Sequence, residues 1–150
     1  MPKVCQVVFS TNRLEYLIPT LEHQHNLDYS GCEVHKILFD DFPKDRDNKK
    51  IISLAEEHGF NQVILHSENK GLSATWSECW DLLRERDYDY IFHHEDDVLI
   101  LDKISILDLI ELKERLNEIS VLTLARQAWY FHEKDPELKD DDLVFNDFRV

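Results

Sequence analysis

Asp89-Tyr90-Ile91-Phe92-His93-His94-Glu95-Asp96-Asp97 is an apolar run that ends on three adjacent carboxylates. Its length and its aromatic and aliphatic content suit a buried strand, and the charges mark where it stops. The same pattern recurs upstream. Val4-Cys5-Gln6-Val7-Val8-Phe9 stops at Ser10-Thr11-Asn12-Arg13, and Val34-His35-Lys36-Ile37-Leu38-Phe39 stops at Asp40-Asp41. Gln62-Val63-Ile64-Leu65 is followed by the turn Asn69-Lys70-Gly71. A fifth strand is expected at Ser120-Val121-Leu122-Thr123-Leu124.

Helical spacing fills the intervals. Leu14, Leu17, Ile18 and Leu21 share one face, with Pro19 expected early in that helix or at a bend. Asp47 is placed to cap a helix carrying Ile51, Ile52, Leu54 and Ala55, which Gly59 ends. Ser73 is placed to cap a helix whose apolar face holds Trp76, Cys79, Trp80 and Leu83, and Ile104 to Leu116 supply another. Alternation of strand and helix predicts an α/β domain with a mostly parallel central sheet and helices on both faces. One domain over 1–150 is expected, with its core at 4–125 and a short segment at 126–150.

Composition narrows the function. The chain has 150 residues, with 17 Lys+Arg against 31 Asp+Glu and a net charge of −14. So acidic a chain is poorly suited to a nucleic-acid backbone or an anionic membrane surface. No apolar run reaches the roughly 20 residues of a membrane-spanning helix, and the start shows no signal-peptide pattern. Cys5, Cys32 and Cys79 are odd in number and widely spaced, which predicts free thiols and a cytoplasmic location.

In parallel sheets ligands bind at the carboxyl ends of the strands. Here those ends collect Ser10, Thr11, Arg13, Asp40, Asp41, Asn69, Gly71, Glu95, Asp96 and Asp97. Each is an ordinary turn or cap residue by itself. Together on one rim they point to a polar ligand. Three neighbouring carboxylates repel, and a divalent cation with oxygen ligands relieves that repulsion. An anionic ligand in so acidic a chain needs such a cation as well, Mg²⁺ or Mn²⁺ by ligand type. Adjacent strand residues face opposite ways, so His93 and His94 do not converge on one ion. The G-x-G-x-x-G fingerprint, the P-loop and the G-x-S-x-G elbow are all missing.

These segments resemble GT-A glycosyltransferases of the family-2-like group, over about 4–125. The resemblance rests on residues 7–13, 37–41, 69–74 and 90–97, taken in that order. It implies a Rossmann-like nucleotide-diphospho-sugar transferase fold, here a shortened version. Ser10, Thr11 and Arg13 would line the nucleotide pocket, with Asn69 and Gly71 in the turn that enters the third helix. Asp40 would accept a hydrogen bond from the base, most naturally uracil N3–H. Asp96 would face the ribose or sugar, and Asp97, with Glu95, would hold the cation that bridges the diphosphate. Trp76 and Ser77 stand where many relatives carry Arg and Asn. The acceptor half is short, so 126–150 would be an acceptor-side piece or a tail. Asp140, Asp141 and Asp142 read as a solvated acidic run, and Trp129-Tyr130-Phe131 as core or sugar-stacking residues.

The expected activity is transfer of a sugar, hexosyl-like, from a nucleotide-sugar donor, UDP-sugar first, to the hydroxyl of a glycan, lipid or protein acceptor. The residues do not single out a catalytic base. A sugar nucleotidyltransferase-like enzyme and a non-catalytic nucleotide-sugar-binding or interaction domain are the alternatives.

Overall fold

The computed structural model describes residues 1–11, 13–41, 48–116, 118–122 and 124. Met1–Arg115 form one compact unit, and Leu116–Val150 a second. In the first unit the strands are β1 (Lys3–Ser10), β2 (Leu27–Asp28), β3 (Glu33–Asp40), β4 (Gln62–Leu65), β5 (Tyr90–Glu95) and β6 (Ile104–Ser105). The helices are α1 (Leu14–Glu22), α2 (Asn48–Glu57), α3 (Leu72–Arg84) and α4 (Ile106–Arg115).

The four long strands form one sheet in the order β4-β3-β1-β5, and every pairing in it is parallel. A second, two-stranded parallel ladder joins β2 to β6. Strand alternation sorts the core onto two faces. Cys5, Val7 and Phe9 of β1 pack with Ile37 and Phe39 of β3 against Cys79 and Leu83 of α3. Val8 and Leu38 pack against Leu17 and Leu21 of α1 and Ile51 and Ala55 of α2. Val4 meets Leu27, Ile100 and Ile106, the last on α4. The sheet is thus covered on both faces, as its near-continuous apolar strands require.

Element boundaries follow local chemistry. Gly59 takes φ 72° after α2. Its N–H donates to the Glu56 carbonyl at 3.0 Å, and the Phe60 N–H reaches back to Ala55 at 2.9 Å. This is the Schellman closure that a glycine at that position favours. Pro19 lies past the middle of α1 rather than in its first turn. Its missing N–H leaves the Glu15 carbonyl without a helical donor, at a residue exposed to water.

Three sequence expectations change. Gly71, not Ser73, is the cap of α3. The Ala74 and Thr75 N–H groups both donate to the Gly71 carbonyl, so the helix begins two residues earlier than a serine cap allows. On α3 it is Thr75, Cys79 and Leu83 that are buried, while Trp80 is 43% exposed and stacks on Trp76. The expected fifth strand is not formed at Ser120, Val121, Leu122 or Leu124, and Val121 is 73% exposed. Thr123 lies outside the described residues, as do Asn12, the Asp47 cap, Trp129-Tyr130-Phe131 and Asp140 to Asp142.

Gly71 adopts φ 81° and ψ 154°, a region that L side chains rarely enter. A Cβ there would meet no atom within 4 Å, so the cost of Gly71→Ala is backbone strain alone. We expect about 1–2 kcal/mol of lost stability in urea unfolding. No measurable loss would mean that the turn relaxes freely.

Candidate functional site

The strand order reverses at β1. β3 and β4 extend to one side and β5 lies on the other. In open α/β sheets this switch point opens a crevice at the carboxyl ends of the strands. A pocket of about 120 Å³ lies there. Ligand pockets usually span about 300–1,000 Å³, so this one would enclose part of a ligand and leave the rest on an open rim.

Its walls come from four places. Phe9, Ser10, Thr11 and Arg13 come from the end of β1 and the loop after it, and Asp41 from just beyond β3. Asn69, Gly71, Leu72 and Thr75 come from the turn and the start of α3, and Glu95 and Asp96 from the end of β5. Of the residues chosen from sequence, Ser10, Thr11, Arg13, Asn69, Gly71, Glu95 and Asp96 therefore meet in one cavity.

Asp96 is the anchor of the β1 side. It is fully buried, and its carboxylate is engaged by β1 and the loop that follows. Ser10 Oγ donates to Oδ2 at 3.1 Å, the Thr11 N–H donates to the same oxygen at 3.2 Å, and Arg13 Nη2 pairs with Oδ1. Thr20 Oγ1 of α1 donates to the Asp96 carbonyl at 2.6 Å. Asp96 thereby ties β1, α1 and β5 together, and it sets the Ser10–Thr11–Arg13 edge of the pocket. Asp97, with its side chain 42% exposed, lies 3.3 Å from Arg13 Nη2, and Glu95 is exposed at the rim.

On the other wall the structure places Asp41, rather than Asp40, in the pocket. Phe39 belongs to the α3 face and Leu38 to the α1–α2 face, so alternation sends Asp40 to the α1–α2 face, where it is fully buried. Asp41 emerges one residue later beside α3. Its Oδ1 accepts the Lys70 N–H at 2.8 Å and lies 3.1 Å from His66 Nδ1. Burial alone would push the Asp41 carboxyl up. Hydrogen bonds from Lys70, His66, Thr75 and Gly71 outweigh burial and hold it below the usual carboxylate range. Asn69 Oδ1 accepts the Gly71 N–H at 2.9 Å, which closes the turn leading into α3.

Phe9, Asp41, Leu72 and Thr75 are pocket residues that the motifs did not select as ligand contacts. Period-two counting past Phe39 finds Asp41. Thr75 is four residues after Gly71, one helical turn inward.

Among the described residues no group of three or more His, Cys, Asp or Glu side chains gathers in a metal-binding cluster. Glu95 lines the pocket, and Asp97 is exposed beside Arg13. Two carboxylates are the kind of oxygen donor that Mg²⁺ or Mn²⁺ takes together with water and phosphate, too few to hold a cation by protein alone. His94 stays out of this chemistry. It is buried, with Nε2 3.2 Å from Gln6 Nε2 and Nδ1 3.2 Å from the Glu95 carbonyl. No helix among the described residues is long and apolar enough to cross a membrane.

No protein-family model matches the sequence, and no curated protein matches it. Solved structures do. TarS from S. aureus superposes with a TM-score of 0.57 at 16% identity, over 77% of this chain and 20% of TarS. A structure of S. aureus TarS 1-349 in complex with UDP superposes with a TM-score of 0.54 at 14% identity, over 83% of this chain and 38% of that one. This chain therefore spans well under half the length of either. At such identity the likeness is one of fold, and the fold it supports is the GT-A-like glycosyltransferase fold, an α/β domain built on a mostly parallel sheet.

Proposed function

We infer that the pocket binds the nucleoside diphosphate of a sugar donor, UDP first among the candidates, and that the chain is a glycosyltransferase or the donor-binding domain of one. One observation carries this reading. Residues from three separated segments, chosen from sequence as nucleotide-sugar contacts, line a single cavity at the switch point of the sheet: Ser10, Thr11 and Arg13, then Asn69 and Gly71, then Asp96. The shared fold with a structure that contains UDP supports it.

In this reading Asp41 takes the place given to Asp40, accepting the base N–H from the pocket wall. Ser10, Thr11 and Arg13 face the ribose and phosphates, held by Asp96. Asp97 and Glu95 would hold Mn²⁺ or Mg²⁺ against the diphosphate. Such a cation neutralises a departing diphosphate and acts as a Lewis acid. Arg13 already contributes one positive charge at the same edge, and Asp97 shares it. The acceptor is a hydroxyl whose carrier the site does not name.

Thermal unfolding of the intact chain with UDP tests this, because stabilisation follows ligand occupancy. We expect a small shift in EDTA and a clear one with Mn²⁺. Asp97→Ala should remove the metal-dependent part of the shift, and Asp142→Ala should leave it. Equal shifts in EDTA and Mn²⁺ would remove the cation from the reading. No shift with any nucleoside diphosphate would remove the nucleotide.

A further inference from the structure

Behind the Asp41 wall lies a closed ring of polar contacts. His66, the residue after β4, is 4% exposed. Its Nδ1 is 3.1 Å from Asp41 Oδ1, and its Nε2 is 3.2 Å from Glu78 Oε2 on α3, an ion-pair contact outside hydrogen-bond alignment. Glu78 Oε2 accepts from Lys70 Nζ at 2.6 Å, and the Lys70 N–H donates to the same Asp41 Oδ1 at 2.8 Å. The ring thus runs Asp41, His66, Glu78, Lys70 and back to Asp41. Of the four, only Asp41 lines the pocket.

We propose that His66 is the positioning residue of the nucleobase wall: through Nδ1 it sets the Asp41 carboxylate, and through Nε2 it anchors that setting to Glu78 on α3. The proposal rests on the nucleotide reading above. Its physical basis is the acceptor arithmetic of a carboxylate. Two oxygens offer about four lone-pair directions, and donors at Oδ1 choose which remain for a ligand. A buried imidazole with a carboxylate at each nitrogen is a spacer between β3 and α3, whereas an apolar side chain would leave the Asp41 carboxylate set by Lys70, Thr75 and Gly71 alone. Lys70 holds Glu78 below its ordinary carboxylate range, so the far end of the spacer stays charged. His66 touches no ligand in this scheme. It acts on base recognition by way of Asp41 and leaves the phosphate edge at Ser10, Thr11 and Arg13 alone.

The test is calorimetric titration of the full chain with UDP, CDP and inorganic pyrophosphate at one Mn²⁺ concentration. His66→Leu should weaken UDP about tenfold, the scale of one charged hydrogen bond, and flatten the UDP-to-CDP ratio. Pyrophosphate affinity should not move. His66→Asn, whose amide can donate where Nδ1 stands, should restore the ratio. Glu78→Gln breaks the ring at a partly exposed residue and should flatten the ratio in part, which keeps the test sharp if His66→Leu fails to fold. An unchanged UDP-to-CDP ratio in these variants overturns the positioning role while the nucleotide reading stands. Pyrophosphate affinity falling in step with UDP also overturns it, since that is a merely structural effect. A wild-type chain that binds pyrophosphate but prefers no base overturns the nucleotide reading, and this proposal with it.

Discussion

Asp96→Ala is expected to lower the stability of the chain by about 2–3 kcal/mol, far more than Asp97→Ala, because it takes the acceptor from three donors at once, the buried Ser10 hydroxyl among them. The Asp96 side chain is 1% exposed, whereas that of Asp97 is 42% exposed. Removing the Asp96 carboxylate leaves Ser10 Oγ and the Thr11 N–H without their acceptor and takes away the main partner of Arg13. Arg13 is itself partly exposed and keeps Asp97, so the loss falls short of that for a fully buried ion pair. Asp97→Ala removes only a screened, half-exposed contact and should cost under about 0.5 kcal/mol. Urea unfolding of the two variants decides the matter. Equal losses would mean that the Asp96 carboxylate is not what ties β1 and the loop after it to the end of β5.

Acid should destabilise the chain through His94. Burial pushes this imidazole down from an ordinary 6.5 to about 4, with His93 and Lys36 adding to the depression and the Glu95 carbonyl opposing it. The unfolded chain therefore takes up the proton at a higher pH than the folded one. Between those two values the unfolded state binds more protons, so stability falls as pH falls from about 6.5 to about 4. A gap of this size corresponds to about 3 kcal/mol for the one group. Asp41, also held low, adds an acid-side loss of the same sign at the carboxylate range. The His94 share is isolated by subtraction. His94→Gln keeps a polar side chain beside Gln6 and cannot titrate. The difference in unfolding free energy between wild type and variant should slope across the His94 window and be flat above it. A flat difference throughout would show that His94 is protonated in the folded chain as readily as in the unfolded one.

Both expected effects belong to groups whose importance comes from burial, and burial is where sequence reading stops. Asp96 and Asp97 are neighbours of one residue type. Nothing local separates a carboxylate that braces three elements from one that faces water. Only the packing of α1 against the end of β5, through Thr20 and Arg13, assigns the roles.

What the amino-acid order determined by itself was the architecture. Four apolar runs ending in polar turns, with helical periodicity between them, require a parallel sheet covered on both faces, and the ends of those runs mark its polar rim. Gly59 closing α2 was equally legible, since the positive φ at that position is a local demand that few residues meet. The strand order was not legible. β5 returns to lie beside β1, on the side away from β3, and this return creates the switch point. Strand alternation separates Asp40 from Asp41 in the sequence, but only tertiary packing decides that the Phe39–Asp41 face meets α3, which puts Asp41 in the pocket and Asp40 in the core. Packing also joined His66 to Asp41 and Glu78, residues that share no motif and meet only because β3, β4 and α3 come together. Periodicity and turn chemistry are local and can be read from the chain. Which buried polar groups become partners depends on elements far apart in sequence, and that is settled only when they pack.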